Sequence, residues 1–88
     1  MYRLVVSPHA DKIFKKLENK NKRALEIIWK KISEILENPT MYKPLRSPLQ
    51  NIRRVHIDSS FVLLFTVDET KKIVEILDYD HHDKIYRK

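Results

Sequence analysis

The chain has 88 residues, no cysteine and a formal net charge of +6, and 34% of its residues are charged. These values favour one small cytoplasmic domain spanning residues 1–88 and exclude disulfides, thiolate metal sites and an apolar run of the roughly 20 residues that cross a membrane. The positive charge indicates a polyanionic or acidic partner, with a solvated lysine-rich surface as the alternative.

The first predicted elements are a short strand and a helix. Residues 2–6 place β-branched and aromatic side chains around Arg3, which predicts a strand. Ser7 is a suitable N-cap and Pro8 is tolerated at the first helical position, and apolar residues then recur at helical spacing. The pattern predicts a helix over residues 8–19.

A second helix is predicted from one apolar stripe. The stripe consists of Leu25, Ile28, Trp29, Ile32, Ile35 and Leu36. Asn38 precedes Pro39, and the residue before a proline is disfavoured in a helix, so the helix is expected to end there. The short polar link over residues 19–21 predicts an antiparallel helical hairpin. Trp29 is expected in the core, because its neighbours on the stripe are all aliphatic.

A loop with basic residues is predicted over residues 40–51, and a strand over residues 52–57. Side chains alternate between the two faces of a strand, so Arg54 and His56 are expected on one face and the apolar residues between them on the other. This alternation would place a guanidinium and an imidazole side by side.

Two further strands complete the predicted sheet. Residues 61–67 are apolar at nearly every position, as in a central strand that is covered on both faces. Residues 73–77 form the next strand, and the short turns favour an antiparallel meander. The chain is therefore predicted to be an α+β protein of order β-α-α-β-β-β with a short C-terminal helical turn. In this fold a helical hairpin packs on one side of a mainly antiparallel four-stranded sheet.

The C-terminal segment, residues 80–88, combines imidazole, carboxylate, phenol and basic groups. In a helical turn, His82 and Tyr86 stand four positions apart and share one face. Free histidine titrates near pH 6.5, so it can both accept and release a proton near neutrality. The meander is expected to bring these two residues near Arg54 and His56. A solvated tail is the alternative interpretation.

This combination of groups suits cleavage of RNA by attack of a ribose 2′-hydroxyl on the adjacent phosphate. The reaction needs a base, an acid for the leaving 5′-oxygen and cations for the charge on the phosphorane. His82 and His56 are the candidates for acid and base, with Tyr86 beside them. The candidate phosphate-binding residues are Lys43, Arg46, Arg53, Arg54 and Arg87.

A metal site is the competing chemistry for the same segment, since imidazole and carboxylate suit zinc. The available ligands are His56, Asp80, His81, His82 and Asp83. Adjacent histidines do not present two ligands on one helical face, and the chain has no HxxxH spacing. We therefore expect no metal and no cofactor, and we interpret His81 and His9 as surface residues.

Four segments of the chain resemble the RelE/ParE superfamily of type II toxin-antitoxin toxins. They are residues 2–7, residues 43–49, the hairpin of residues 54–57 with 62–65, and residues 82–86. The resemblance covers essentially the whole chain and is strongest to the histidine-bearing branch that includes the YafQ type of mRNA interferase. It implies a RelE-like fold and a ribosome-dependent endoribonuclease that cuts mRNA. It also implies a small, acidic, RelB-like antitoxin as the inhibitor.

The resemblance implies four active-site positions in this chain: His82, Tyr86, His56 and Lys43. Two segments depart from the family pattern. Residues 62–64 lack the arginine that is common in the central strand of RelE toxins, so that group is not available for transition-state stabilisation. Residues 60–61 replace the acidic residue and tryptophan of the histidine branch. Two alternatives stay open, namely a ParE-like inhibitor of a type II topoisomerase and a catalytically inactive module that binds RNA or antitoxin.

Overall fold

The structure is a computed structural model that describes residues 1–46 and 51–85. Its elements in chain order are strand β1 (Arg3–Val6), helices α1 (Pro8–Lys20) and α2 (Lys22–Glu37), a 3₁₀ turn (Pro39–Met41), strands β2 (Ile52–His56), β3 (Phe61–Asp68) and β4 (Ile73–His81), and helix α3 (His82–Ile85). Within those residues, no helix is long and apolar enough to cross a membrane.

The four strands form one mixed sheet in the order β1-β4-β3-β2. β1 runs parallel to β4, whereas β4 with β3 and β3 with β2 are antiparallel pairs. Helices α1 and α2 connect the two edge strands and pack on one face of the sheet. The predicted α+β fold, with a helical hairpin on a mainly antiparallel sheet, is therefore confirmed.

Polar side chains define where the two long helices begin. The hydroxyl of Ser7 accepts a hydrogen bond from the backbone N–H of Ala10 over 3.1 Å and donates to the carbonyl of Leu77 over 3.1 Å. Asn21 ends α1 and caps α2, because its side-chain oxygen accepts from the backbone N–H of Ala24. Ser7 thus links the start of α1 to strand β4 as well as capping the helix.

Replacing Ser7 with alanine is expected to lower the free energy of unfolding by about 1 kcal/mol, the usual cost of losing an N-cap side chain. The measurement is equilibrium unfolding in urea. Ser33→Ala is the matched control, because the Ser33 hydroxyl donates to the carbonyl of Trp29 on an exposed helical surface. Equal stabilities of the two variants would contradict the role assigned to Ser7.

Strand β3 is buried on both faces, as its apolar run predicts. On the inner face, which we define as the face under α1 and α2, Leu63 and Phe65 belong to the main core. On the opposite, outer face, Val62 and Leu64 pack with Ile85 of α3. The short C-terminal helix therefore covers part of the sheet that the helical hairpin leaves open.

Strand β4 extends beyond its predicted end at residue 77 and continues to His81. Its last residues pair with β3, for example Tyr79 with Leu63 and His81 with Phe61. The register shifts between Leu64 and Phe65, which marks a bulge in the ladder. The sequence predicted a helical turn after the strand of residues 73–77, but backbone pairing with the central strand β3 keeps the chain extended as far as His81.

The prediction that Trp29 lies in the core is wrong, since its exposed fraction is 41%. Ile28, Ile32 and Ile35 occupy the side of α2 that faces the sheet and are fully buried or nearly so. The Trp29 ring instead meets Phe14 edge-on, with centroids 5.6 Å apart. It lies at the margin of the stripe, where α2 contacts α1.

Candidate functional site

Strand β2 carries Arg54 and His56 on the outer face of the sheet. Arg54 pairs with Leu64, and His56 pairs with Val62, both of which belong to the outer apolar cluster. Val55, between them, packs against the inner core. Both polar residues are exposed, and the predicted alternation along this strand is confirmed.

Lys43 lies next to Arg54 because the chain before β2 pairs along the edge of that strand. The backbone N–H of Leu45 donates to the carbonyl of Ile52 over 2.8 Å, and the N–H of Arg54 donates to the carbonyl of Lys43 over 3.4 Å. Directly opposed residues of an antiparallel pair share a face, so Lys43 lies on the outer face with Arg54. We call Lys43, Arg54 and His56 the outer-face patch.

The remaining predicted phosphate-binding residues do not join this patch within the described structure. Arg53 pairs with the inner-face residue Phe65, and its guanidinium donates to the carbonyls of Tyr42 over 2.6 Å and Thr40 over 3.3 Å. Its contacts hold the loop before β2. Arg46 is exposed at the end of the first described segment. Two predicted site residues lie outside the described residues: Tyr86 and Arg87.

Helix α3 begins with two imidazoles against one carboxylate. His82 Nδ1 lies 3.0 Å from Asp83 Oδ1, and His81 Nδ1 lies 3.5 Å from Asp83 Oδ2. The two imidazole rings stack with centroids 4.7 Å apart and an interplanar angle of 26°. The His82 side chain is 46% exposed, so a large ligand can reach it. We call His81, His82 and Asp83 the terminal cluster.

A row of aromatic rings supports the terminal cluster from the inner side of the sheet. Phe61 stacks on Tyr79 with centroids 5.1 Å apart and meets His81 edge-on at 5.5 Å. Burial, together with the nearby Asp58 carboxylate, raises the pKa of Tyr79 above its usual value, so this phenol stays neutral at physiological pH. His81 is therefore packed between Phe61 and His82, which is more than the surface role expected from the sequence.

Both groups of residues lie at the same end of the sheet. The backbone N–H of His82 donates to the carbonyl of Ser60, in the turn that follows β2, over 2.9 Å. His56 pairs with Val62, which in turn pairs with Asp80, so His56 and Asp80 are two strands and about 10 Å apart. The imidazole of His82, however, has His81 and Asp83 as its neighbours.

Sequence reasoning missed the partnership of His82 with Asp83 and the packing of His81. A signal for His81 was present, because Tyr79 and His81 continue the two-residue alternation of the preceding strand. Asp83 had no comparable signal. Its contact with His82 depends on the change from strand to helix between residues 81 and 82.

A groove of about 390 Å³ lies between α1 and the sheet. Its lining consists of His9, Ile13, Lys16, Leu17, Phe61, Tyr79 and Asp80. His9 also bridges α1 and β4, since its Nε2 lies 3.0 Å from Asp78 Oδ1. The groove thus combines an apolar lining with basic groups on α1.

Comparisons with known proteins identify the family to which this chain belongs. The family model described as the ParE toxin of type II toxin-antitoxin system, parDE, matches residues 4–86. The putative toxin RelE4 of Methanocaldococcus jannaschii is 53% identical over 88 residues, which cover 100% of this chain and 94% of that protein.

Solved structures show the same fold at lower identity. The YoeB/ParE toxin from Agrobacterium tumefaciens is 15% identical with a TM-score of 0.81, covering 91% of this chain and 98% of that one. The toxin in the RelBE2 toxin-antitoxin complex from Mycobacterium tuberculosis is 24% identical with a TM-score of 0.76, covering 92% and 98%. The superfamily resemblance is therefore confirmed, and the chain belongs to the ParE toxin family of type II toxin-antitoxin systems.

Proposed function

We propose that this toxin is a ribosome-dependent endoribonuclease that cleaves mRNA, related in mechanism to the histidine-bearing, YafQ-like interferases. The observation that carries the proposal is the pairing of His82 with Asp83 over 3.0 Å at an exposed position. The outer-face patch at the same end of the sheet supplies basic groups for a polyanionic substrate.

His82 is the proposed general base. When Nδ1 carries the proton and donates to Asp83, the ring is held in the tautomer whose Nε2 lone pair is available to substrate. Nε2 then takes the proton of the ribose 2′-hydroxyl, and the 2′-oxygen bonds to phosphorus as the bond to the 5′-oxygen breaks. The Asp83 carboxylate stabilises the imidazolium that forms, as a carboxylate does in other catalytic histidine pairs.

His56 is the proposed acid for the leaving 5′-oxygen, which departs as a hydroxyl. The other product end is a 2′,3′-cyclic phosphate, so atoms and protons balance between the two imidazoles. Tyr86, which lies outside the described residues, stays in the proposal as the aromatic neighbour that the resemblance implies.

Arg54 and Lys43 are the proposed phosphate-binding groups. Arg46, close to Lys43 in the sequence, and Arg87, next to Tyr86, are further basic candidates. A guanidinium can donate two parallel hydrogen bonds to phosphate oxygens and stabilise the charge of the phosphorane. Arg54 pairs directly with Leu64, in the segment where RelE toxins commonly carry an arginine. The neighbouring strand thus offers a guanidinium on the outer face, where β3 itself has none.

Mapping of mRNA 5′ ends, shortly after induction without antitoxin, tests the proposed function. We expect new cuts within translated reading frames from the wild type and none from His82→Ala. Purified toxin should cleave mRNA on programmed ribosomes much faster than naked RNA. Growth arrest with unchanged mRNA ends would overturn the nuclease proposal.

Inhibition of a type II topoisomerase is the second candidate, and the ParE description of the matching family favours it. That activity needs no catalytic histidine. It predicts a DNA-damage response that persists in His82→Ala, with intact mRNA. A module that merely binds RNA would show steeply salt-dependent affinity without product.

We also propose that an acidic, RelB-like antitoxin inhibits the toxin by placing an amphipathic segment in the groove beside α1. The RelBE2 neighbour is a toxin-antitoxin complex, and the net charge of +6 favours an acidic partner. Ile13, Leu17 and Phe61 offer apolar contacts, while Lys16 offers a charge at the rim.

Reversing the charge of the groove rim should weaken antitoxin binding. We expect Lys16→Glu to raise the dissociation constant by roughly tenfold, mainly through slower association at low salt. The measurement is surface plasmon resonance with the cognate antitoxin. Lys20→Glu is the control, since Lys20 is exposed on the same helix outside the groove lining. If both variants lost the same amount of affinity for the antitoxin, the effect would be due to net charge and the groove assignment would be contradicted.

A further inference from the structure

We infer that the terminal cluster is a binding site for a divalent late transition-metal ion such as Zn²⁺, and that the bound ion withholds His82 from proton transfer. The first part rests on the geometry of His81, His82 and Asp83. The second part rests on the proposed function.

The donor atoms are the first argument for a metal site. One ligand atom from each of the three residues lies within 4.8 Å of the other two. The two imidazole nitrogens approach opposite oxygens of one carboxylate, at 3.0 Å for His82 and 3.5 Å for His81. Ligands of a tetrahedral zinc ion lie about 3.4 Å apart, given bonds of 2.0–2.2 Å. The two nitrogen–oxygen separations are close to that value, and the 4.8 Å limit on the whole set requires a small closing movement of the side chains.

The chemistry of the donor set is the second argument. Two imidazoles and a carboxylate suit zinc, copper and nickel, whereas magnesium and calcium prefer oxygen ligands alone. Within residues 1–46 and 51–85, the histidine and carboxylate side chains whose ligand atoms converge in a group of three are those of His81, His82 and Asp83. The site has three protein ligands, which leaves a fourth position for water or a phosphate oxygen.

The two adjacent histidines converge in the folded chain, although adjacent positions within one helix would not allow it. Adjacent histidines diverge on a helix, but His81 is the last residue of β4 and His82 the first of α3. The change of backbone geometry between them brings the two rings into a stack, while Phe61 packs against His81 from the other side. His81 is thereby held beside His82. An ion has to displace two contacts: the one between His82 Nδ1 and Asp83 Oδ1 over 3.0 Å, and the 3.2 Å hydrogen bond from the Asp83 backbone N–H to His81 Nδ1.

Metal binding and base catalysis use His82 in incompatible forms. An ion on Nδ1 leaves the hydrogen of a neutral imidazole on Nε2. That nitrogen then has no lone pair for the ribose 2′-hydroxyl. The carboxylate of Asp83, which otherwise stabilises the imidazolium, is also engaged by the ion. Zinc is therefore a reversible inhibitor of the proposed nuclease.

Isothermal titration of tag-free protein with zinc chloride tests the site without using activity. We expect one equivalent to bind. The affinity should fall in His81→Gln, His82→Gln and Asp83→Asn by at least the roughly 10–100-fold that loss of an outer-shell partner of a metal ligand costs. His9→Gln is the matched control, because His9 is also an exposed histidine beside a carboxylate, at 3.0 Å from Asp78. Circular dichroism establishes that each variant is folded.

The site would be overturned if the wild type bound no zinc, or if His81→Gln and Asp83→Asn left the affinity for zinc unchanged. A second measurement locates the ion, since zinc should shift the imidazole NMR signals of His81 and His82 and leave those of His9 in place. Shifts confined to His9 or His56 would place the ion elsewhere and contradict the proposal.

Inhibition is tested by the ratio of cleavage rates with and without zinc. The ratio should fall well below one for the wild type, return to one after chelation, and stay near one for His81→Gln. Binding without any nuclease activity would contradict the proposed function and leave the metal site intact. Binding to an active nuclease that zinc does not slow would overturn the inhibitory role.

Discussion

Cleavage of ribosome-bound mRNA is expected to fall by about 10²–10⁴-fold when His82 is replaced by alanine, the usual contribution of one general acid or base. The measurement is single-turnover kinetics on programmed ribosomes. Stability should change little, because the His82 side chain is 46% exposed and lies in a short terminal helix. If the folded His82→Ala variant loses activity, the loss is attributable to the cleavage step and not to unfolding.

His9→Ala is the control for this prediction. His9 is exposed and pairs with a carboxylate, as His82 does, but it lies on α1 and contacts Asp78. An undiminished cleavage rate in His82→Ala would contradict the assignment. A comparable loss in the two variants would indicate a general effect of removing exposed imidazoles.

Replacing Phe65 with alanine is expected to lower the free energy of unfolding by about 3–5 kcal/mol, through lost apolar contacts and the cavity that forms. Phe65 is fully buried at the centre of β3, and its ring meets Tyr42 edge-on with centroids 5.8 Å apart. A small domain has a total stability of about 5–15 kcal/mol, so this loss is a large part of it. The measurement is equilibrium unfolding in urea.

Val5→Ala is the stability control, because Val5 is 43% exposed on edge strand β1. We expect it to cost well under about 1 kcal/mol. If Phe65→Ala is unfolded even without urea, Phe65→Leu gives the smaller, measurable loss. A Phe65 variant as stable as the Val5 variant would contradict the packing described for the inner face.

Local sequence signals were sufficient for most of the fold. The capping group of Ser7, the proline at position 39 and the apolar run over residues 61–67 each mark an element that the structure contains. These signals act over a few residues, so they are readable without tertiary information. Trp29 marks the limit of prediction from local sequence. Helical spacing identifies an apolar stripe, but it does not show which edge of the stripe faces the sheet.

The candidate site was predictable in its residue types and incompletely predictable in its arrangement. The alternation in β2 correctly placed Arg54 and His56 on one face. From the sequence, Arg53 was as good a candidate for phosphate binding as Arg54. In the structure, however, the Arg53 guanidinium donates to the carbonyls of Thr40 and Tyr42. Only the paired strands distinguish a basic group on the outer face from one that holds a loop.

By itself the sequence determined the element order, the apolar surfaces that form the core and the toxin superfamily, because periodicity and local motifs are carried by neighbouring residues. Tertiary structure decided that β4 continues to His81 and that α3 begins at His82. Pairing with β3 outweighs the weak strand preference of residues 78–81, and it sets the direction in which the chain leaves the sheet. The meeting of two imidazoles with Asp83 follows from that direction, which no short stretch of sequence specifies.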